Sequence, residues 1–276
     1  MTGGSMAEAL DRVRPDGAIG AFNVIQLEHA EAIIAGAEAA GRPVVMQISE
    51  NTVAYHHGLA PIALACRRLV DDAATPVVIH LDHATSAELV QEAVALGIGS
   101  VMYDASALPH DDNVTATKAV AAWCHDRGVW VEAELGEVGG KDGAHAPGAR
   151  TDPIEAAAYV EATDVDALAV AVGSSHAMLT RDAVLDDELI ARLAKAVGVP
   201  LVLHGSSGVP DDGLARAVAR GMAKVNIATQ LNKVMTSAVR EALARDESLV
   251  DPRKYVGPGR EAIAAEAERL LRLLAP

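Results

Sequence analysis

Short apolar runs recur along the chain at residues 18–23, 43–49, 76–82, 100–104, 129–134, 167–172, 200–204 and 223–226. They are rich in β-branched residues and show little polar alternation, the pattern of parallel strands buried on both faces. Amphipathic stretches separate them. Leu89, Ala93 and Leu96 recur at helical spacing behind Ser86, a suitable N-cap, and Ile190, Leu193 and Val197 do the same ahead of Gly198. Gly or Pro introduces several runs, as in Gly41-Arg42-Pro43 and Gly198-Val199-Pro200. Eight strand–helix units predict an α/β protein closed into a (β/α)8 barrel rather than an open doubly wound sheet. No Gly-x-Gly-x-x-Gly opens the first unit, which argues against a dinucleotide-binding fold.

No linker or low-complexity tract interrupts the pattern, so residues 1–276 read as one domain of ordinary barrel size. The segment 258–274 reads as an additional C-terminal helix packed outside the barrel. The longest polar stretch, 139–152, is rich in Gly, Ala and His. Such a loop inside a compact domain reads as an active-site lid or as a tolerated surface insertion.

Composition narrows the partners. Half the residues are hydrophobic but only 3% are aromatic, so the core is aliphatic. The formal net charge of −15 disfavours nucleic acid and anionic lipid surfaces, and any phosphorylated ligand must be captured locally against that field. No apolar run is long enough to span a membrane and no leader pattern is evident, so a cytoplasmic protein is expected. Cys66 and Cys124 have no metal-type spacing and read as small buried residues of a reduced protein.

In a parallel barrel, reactive side chains sit where strands end and loops begin. The third run ends in Asp82-His83, the sixth is followed by His176, and the seventh ends in His204. Three imidazoles from separate strands at one rim are a common way to hold a catalytic zinc with one position left open. His29 and His80 read as packing or hydrogen-bonding residues. His56, His57, His110, His125 and His145 read as solvated. Asp82 is placed either to move a proton or to orient its histidine neighbour. Glu132 and Glu134, two apart on strand five, face the same side and need partners there, and Asp104 ends strand four at the same rim. The turns after runs seven and eight, Gly205 to Gly208 and Asn226 to Thr229, open helices. They suit a phosphate, or supply ordinary helix caps.

Taken in order, several segments resemble the successive motifs of the class II fructose-bisphosphate and tagatose-bisphosphate aldolases. They are Asp82-His83, Gly173-x-x-His176, His204-Gly205-x-Ser207-Gly208 and Lys224-Val225-Asn226-Ile227-x-Thr229. The resemblance runs from Gly20-Ala21-Phe22-Asn23-Val24 through Gln47-Ile48-Ser49 and Val131-Glu132-Ala133-Glu134 to Asp251-Pro252-Arg253. It implies a zinc-dependent aldehyde-lyase of carbohydrate metabolism, with one Zn²⁺ per chain on His83, His176 and His204. It implies that Asp82 exchanges a proton with the C4 hydroxyl and that Glu134 is the acid beside the metal. Gly205, Ser207 and Thr229 would grip the phosphate of dihydroxyacetone phosphate, Asn226 would meet its oxygens, and Asn23 and Ser49 would line the pocket. A monovalent cation near that phosphate and a homodimer or homotetramer are further family features.

The chain also departs from the family pattern. A loop glutamate is usual where this chain has Asp142, one methylene shorter, with Glu137 as the other candidate. Ala177 replaces a usual glycine, and Arg181 stands near a usual lysine. Arg253 reads either as a grip for the distal phosphate, reaching a neighbouring subunit, or as a surface arginine at a helix end. These departures leave three alternatives beside a ketose-bisphosphate aldolase. One is an aldolase for another phosphorylated keto-sugar, such as a deoxy-keto-gluconate phosphate. The others are a zinc hydrolase on the same barrel and a non-catalytic phosphosugar binder.

Overall fold

The computed structural model describes residues 4–15, 17–135, 150–175 and 178–275. Eight parallel strands close into a barrel in sequence order. They are β1 (Ile19–Asn23), β2 (Val44–Ser49), β3 (Val77–Ala84), β4 (Ser100–Tyr103), β5 (Trp130–Glu134), β6 (Ala167–Ala169), β7 (Leu201–Leu203) and β8 (Met222–Ile227). β1 pairs with both β2 and β8, which closes the sheet and leaves no exposed edge. Each apolar run forms a strand because helices cover its outer face while side chains fill its inner one.

The surrounding helices are α1 (Met6–Val13), α2 (Leu27–Ala40), α3 (Glu50–Tyr55), α4 (Ala60–Asp71), α5 (Ala87–Ala95), α6 (His110–His125) and α7 (Pro153–Thr163). They continue with α8 (Asp187–Ala196), α9 (Asp211–Ala219), α10 (Thr229–Arg245) and α11 (Pro252–Leu273). Ser86 caps α5 as expected, accepting from Leu89 N–H. Two helices differ from what the sequence pattern predicts. α1 is not among the expected elements. Ser5 and Glu8 form a capping box at its start, and Met6, Ala9, Leu10 and Val13 pack beneath the barrel against Ile19, Ala21, Val45, Val78 and Ala223. The C-terminal helix begins at Pro252, not at 258, because Asp251 caps it and Pro252 occupies a first-turn position where no N–H is needed. Pro258 lies inside that helix. α11 packs on α2, α10 and β1, outside the barrel.

The barrel interior is mixed. One part is apolar, with Met102, Ala167, Ala169 and Val202 in contact with one another and with the half-buried Trp130. Beside it runs a polar network of Ser100, His80, Glu132, Lys224 and His204, all fully buried, which links the interior to the end of β7.

Candidate active site and metal centre

Asp82 and His83 are consecutive on β3, so a regular strand would point them to opposite faces. The strand is not regular there. Leu81 pairs with Val101 and Ala84 with Tyr103, so one extra residue bulges out between them, and His83 takes a left-handed φ of 52°. A bulge re-aims side chains in this way. As a result the ligand atoms of Asp82, His83 and His204 all lie within 4.8 Å of one another, and those of His83, Asp104 and Glu134 do likewise.

The two histidines are held from behind. Nδ1–H of His83 donates to Asp104 Oδ2 at 2.7 Å, and Nε2–H of His204 donates to Glu132 Oε1 at 2.9 Å. With those protons placed, the remaining ring nitrogens, His83 Nε2 and His204 Nδ1, face each other at 3.0 Å. Two lone pairs pointing at one spot repel unless a positive charge stands between them, a proton in the metal-free protein or a metal ion in its place. Two nitrogens on a tetrahedral zinc, each about 2.0–2.1 Å from it, would be roughly 3.3 Å apart. Imidazoles with carboxylates behind them are a donor set suited to zinc rather than to magnesium or calcium. The residues present therefore fit a zinc-type ion.

The surrounding carboxylates favour positive charge at the same place. Burial disfavours a charged ring at His83, but Asp82, the hydrogen bond to Asp104 and the charge of Glu134 outweigh it and raise its pKa to about 10. Burial pushes Asp104 upward, but His83 and Ser106 more than offset that and hold it well below the usual carboxylate range. Deeper in the barrel, desolvation and the Lys224 ammonium keep His80 neutral.

Asp82 is 4% exposed, and its two oxygens differ. Oδ2 accepts from Asn23 Nδ2 at 3.2 Å, and Asn23 Oδ1 accepts from Gln47 Nε2 at 3.2 Å. Oδ1 is buried without a hydrogen-bond partner among the described residues. An uncompensated buried carboxylate oxygen is costly unless a ligand or proton meets it. Asn226 approaches His204 Nε2 through its amide nitrogen at 3.0 Å, while its Oδ1 is buried and unpartnered among the described residues. Because Nε2–H already donates to Glu132, the amide oxygen belongs on the histidine side, which frees the NH₂ for a ligand.

Glycine at 205 is required by shape. It takes φ 65°, and a Cβ there would come within 2.6–2.9 Å of the Ser175 backbone. The loop after β7 thus lies directly on the loop after β6. Ser207 Oγ accepts from Gln230 N–H at 3.1 Å, joining that loop to the first turn of α10, which starts at Thr229.

Ser49 ends β2, pairs in register with Asp82 and caps α3 by accepting from Thr52 N–H. Arg253 is exposed and its guanidinium forks onto Asp251, the N-cap of α11. His176, Asp142, Glu137 and His145 lie outside the described residues. The described end of the glycine-rich segment is anchored by paired bonds between Thr151 and Ala171. His29 and His80 do hydrogen-bond inside the fold, to Asn232 and Ser100. Two histidines expected to be solvated are instead held by the protein: His125 pairs with Asp166 at 3.0 Å, and His56 bonds the Ile25 carbonyl.

The family model of the class II fructose-bisphosphate aldolases matches residues 5–275. The chain belongs to that family. The fructose-bisphosphate aldolase of Geobacillus stearothermophilus is 41% identical over 266 residues, covering 95% of this chain and 93% of the relative. The YdjI aldolase of Escherichia coli K12 superposes with a TM-score of 0.83 at 31% identity, covering 97% of this chain and 94% of that one. A putative fructose-1,6-bisphosphate aldolase from Coccidioides immitis gives 0.80 at 32% identity, covering 97% and 93%. This aldolase is thus a lyase of a metal-dependent family. The barrel expected from its apolar runs is the barrel observed.

Lys224 is a buried residue behind the site that the sequence pattern does not single out. It sits inside a motif, yet nothing in one dimension shows that its ammonium meets Glu132 Oε2 at 2.8 Å in the barrel interior.

Proposed function

We propose that this aldolase cleaves a ketose 1,6-bisphosphate, fructose or tagatose, to dihydroxyacetone phosphate and glyceraldehyde 3-phosphate, with one zinc ion per chain. The observation that carries this reading is the pair of imidazole nitrogens facing each other at 3.0 Å beside a carboxylate oxygen that has no partner among the described residues. His83 and His204 would hold the ion, and the family resemblance adds His176 as the third ligand. Bound zinc supplies Lewis acidity toward the negative charge that develops on the dihydroxyacetone half.

The chain's own groups do the rest. Asp82 Oδ1 accepts the C4 hydroxyl proton as the C3–C4 bond breaks, and C4 leaves as the aldehyde carbon. Asn23 holds the other oxygen of Asp82 so that Oδ1 stays aimed at the mouth. Glu134 stands beside His83, and Asp142 is assigned to return a proton to C3. Gly205, Ser207 and Thr229 bind the phosphate of the dihydroxyacetone half, through N–H groups at the loop and helix start. Asn226 donates to an oxygen of the same half, and Ser49 lines the pocket. Arg253 takes the distal phosphate, across a subunit boundary in a homodimer or homotetramer. A monovalent cation beside the first phosphate completes the assignment. Among the described residues no helix is long and apolar enough to cross a membrane, and a cytoplasmic, single-domain enzyme is proposed.

The test is a coupled cleavage assay on both bisphosphates, with zinc and with a chelator. Chelator-sensitive release of triose phosphates supports the reading, and the ratio of the two rates names the sugar. A protein shown to contain zinc that cleaves neither would overturn the bisphosphate assignment. Cleavage of a deoxy-keto-gluconate phosphate instead would keep the chemistry and change the aldehyde half. One observation favours that second reading: Arg181 is drawn to Val209 O and Asp211, leaving the segment after His176 unlike the family pattern.

A further inference from the structure

Lys233 belongs to none of the motifs that carry the family resemblance. It begins the second turn of α10, and helical side chains lean toward their own N-terminus, so its ammonium is carried back to the barrel mouth. There Nζ donates to Leu179 O at 2.9 Å. Leu179 lies in the loop after β6, which is laid onto the loop after β7 at three points. Met178 packs on Gly208 so closely that a Cβ there has no room. Ala183 N–H donates to Gly208 O at 2.9 Å, and Arg181 forks onto Val209 O at 2.7 and 3.1 Å. Three residues before Lys233, Gln230 N–H reaches Ser207 Oγ. The ammonium is therefore tied to a strip of chain that rests on the same loop as Gly205 and Ser207.

Its neighbours' charges are already engaged. Arg181 and Arg269 each reach Asp211 at 2.6 Å, and Arg269 also pairs with Glu266. Lys224 is committed to Glu132. Among the described residues no carboxylate lies within ion-pair distance of Lys233, whose hydrogen bond to a neutral carbonyl uses one of its three N–H groups. In a chain of net charge −15, a phosphate held only by backbone and hydroxyl donors would work against the overall field.

We propose that Lys233 supplies the protein's own positive charge to the phosphate of the dihydroxyacetone half, beside the monovalent cation assigned there, and sets the preference for a phosphorylated nucleophile. The inference rests on the assignment of the Gly205–Ser207 loop to that phosphate. It is tested in the synthetic direction with the zinc-loaded full chain, comparing dihydroxyacetone phosphate with dihydroxyacetone as nucleophile toward glyceraldehyde 3-phosphate. Lys233→Met should reduce the kcat/KM ratio between the two about tenfold, through KM for dihydroxyacetone phosphate, with metal content unchanged. Lys233→Arg should restore most of the ratio, and inorganic phosphate should inhibit the methionine variant more weakly. An unchanged ratio, or equal losses with both nucleophiles, overturns the role of Lys233. A wild-type enzyme with no preference for the phosphorylated nucleophile overturns the loop assignment itself.

Discussion

Nε2 of His83 and Nδ1 of His204 face each other at 3.0 Å across the mouth of the barrel, although 121 residues separate them in the chain. Each ring is pinned by a carboxylate on its far side, Asp104 for one and Glu132 for the other. That pinning fixes which nitrogen of each ring faces the other, so the pair is arranged for a cation before one arrives.

The first prediction follows from that geometry. His204→Ala removes one donor nitrogen without disturbing the helices outside the barrel. Metal content measured by mass spectrometry of the purified variant should fall to background, and cleavage should drop by on the order of a thousandfold, the equivalent of about 4 kcal/mol of lost charge stabilisation. A variant that keeps stoichiometric metal and full activity would remove His204 from the ligand set.

Asp82 gives a prediction of the opposite kind. Asp82→Asn keeps size and the contact with Asn23 but cannot take a proton. kcat should fall by about 10²–10⁴-fold while zinc content and circular dichroism stay those of the parent. Equal loss of metal and activity would show instead that Asp82 only supports its histidine neighbour.

The strands are legible in the amino-acid sequence because burial on both faces makes each a continuous apolar run, and strand ends mark the rim where His83 and His204 emerge. What is not legible depends on register. Nothing local announces the bulge that turns both Asp82 and His83 toward the same mouth, since it arises from pairing with β4. The partners of Glu132 come from β7 and β8, 72 and 92 residues away, so a sequence shows only that the acid needs something. α1 escapes notice because its apolar face is small and only acquires meaning against the underside of a closed barrel.

The thiols offer a check with a defined pH dependence. Burial raises Cys66 to about 12 and Cys124 to about 11. At pH 8 each is then almost wholly protonated, and a thiol reagent should react with the folded protein roughly a few hundredfold (Cys124) to a few thousandfold (Cys66) more slowly than with a free cysteine of pKa about 8.5. The rate should climb about tenfold per pH unit below those values, because the thiolate fraction does. Both cysteines should become reactive in denaturant. A thiol that reacts at the free rate at pH 8 in the folded enzyme would contradict the buried placement.

The buried pair of Lys224 and Glu132 allows structural support to be separated from metal positioning. Both side chains are essentially without solvent contact, and Nζ meets Oε2 at 2.8 Å. Removing one partner leaves the other charge stranded, so Lys224→Met alone should cost about 3–5 kcal/mol in unfolding free energy. The double variant Lys224→Met with Glu132→Gln strands no charge and should recover most of that loss. Metal affinity should not recover with it. Nε2–H of His204 would then donate to a neutral amide oxygen rather than to a carboxylate, and Nδ1 becomes a poorer donor to the ion. Chelator competition should show zinc held about 10–100-fold more weakly by the double variant, at near-parental stability. If stability and zinc affinity return together, Glu132 serves only to balance the lysine, and the orientation of His204 comes from packing alone.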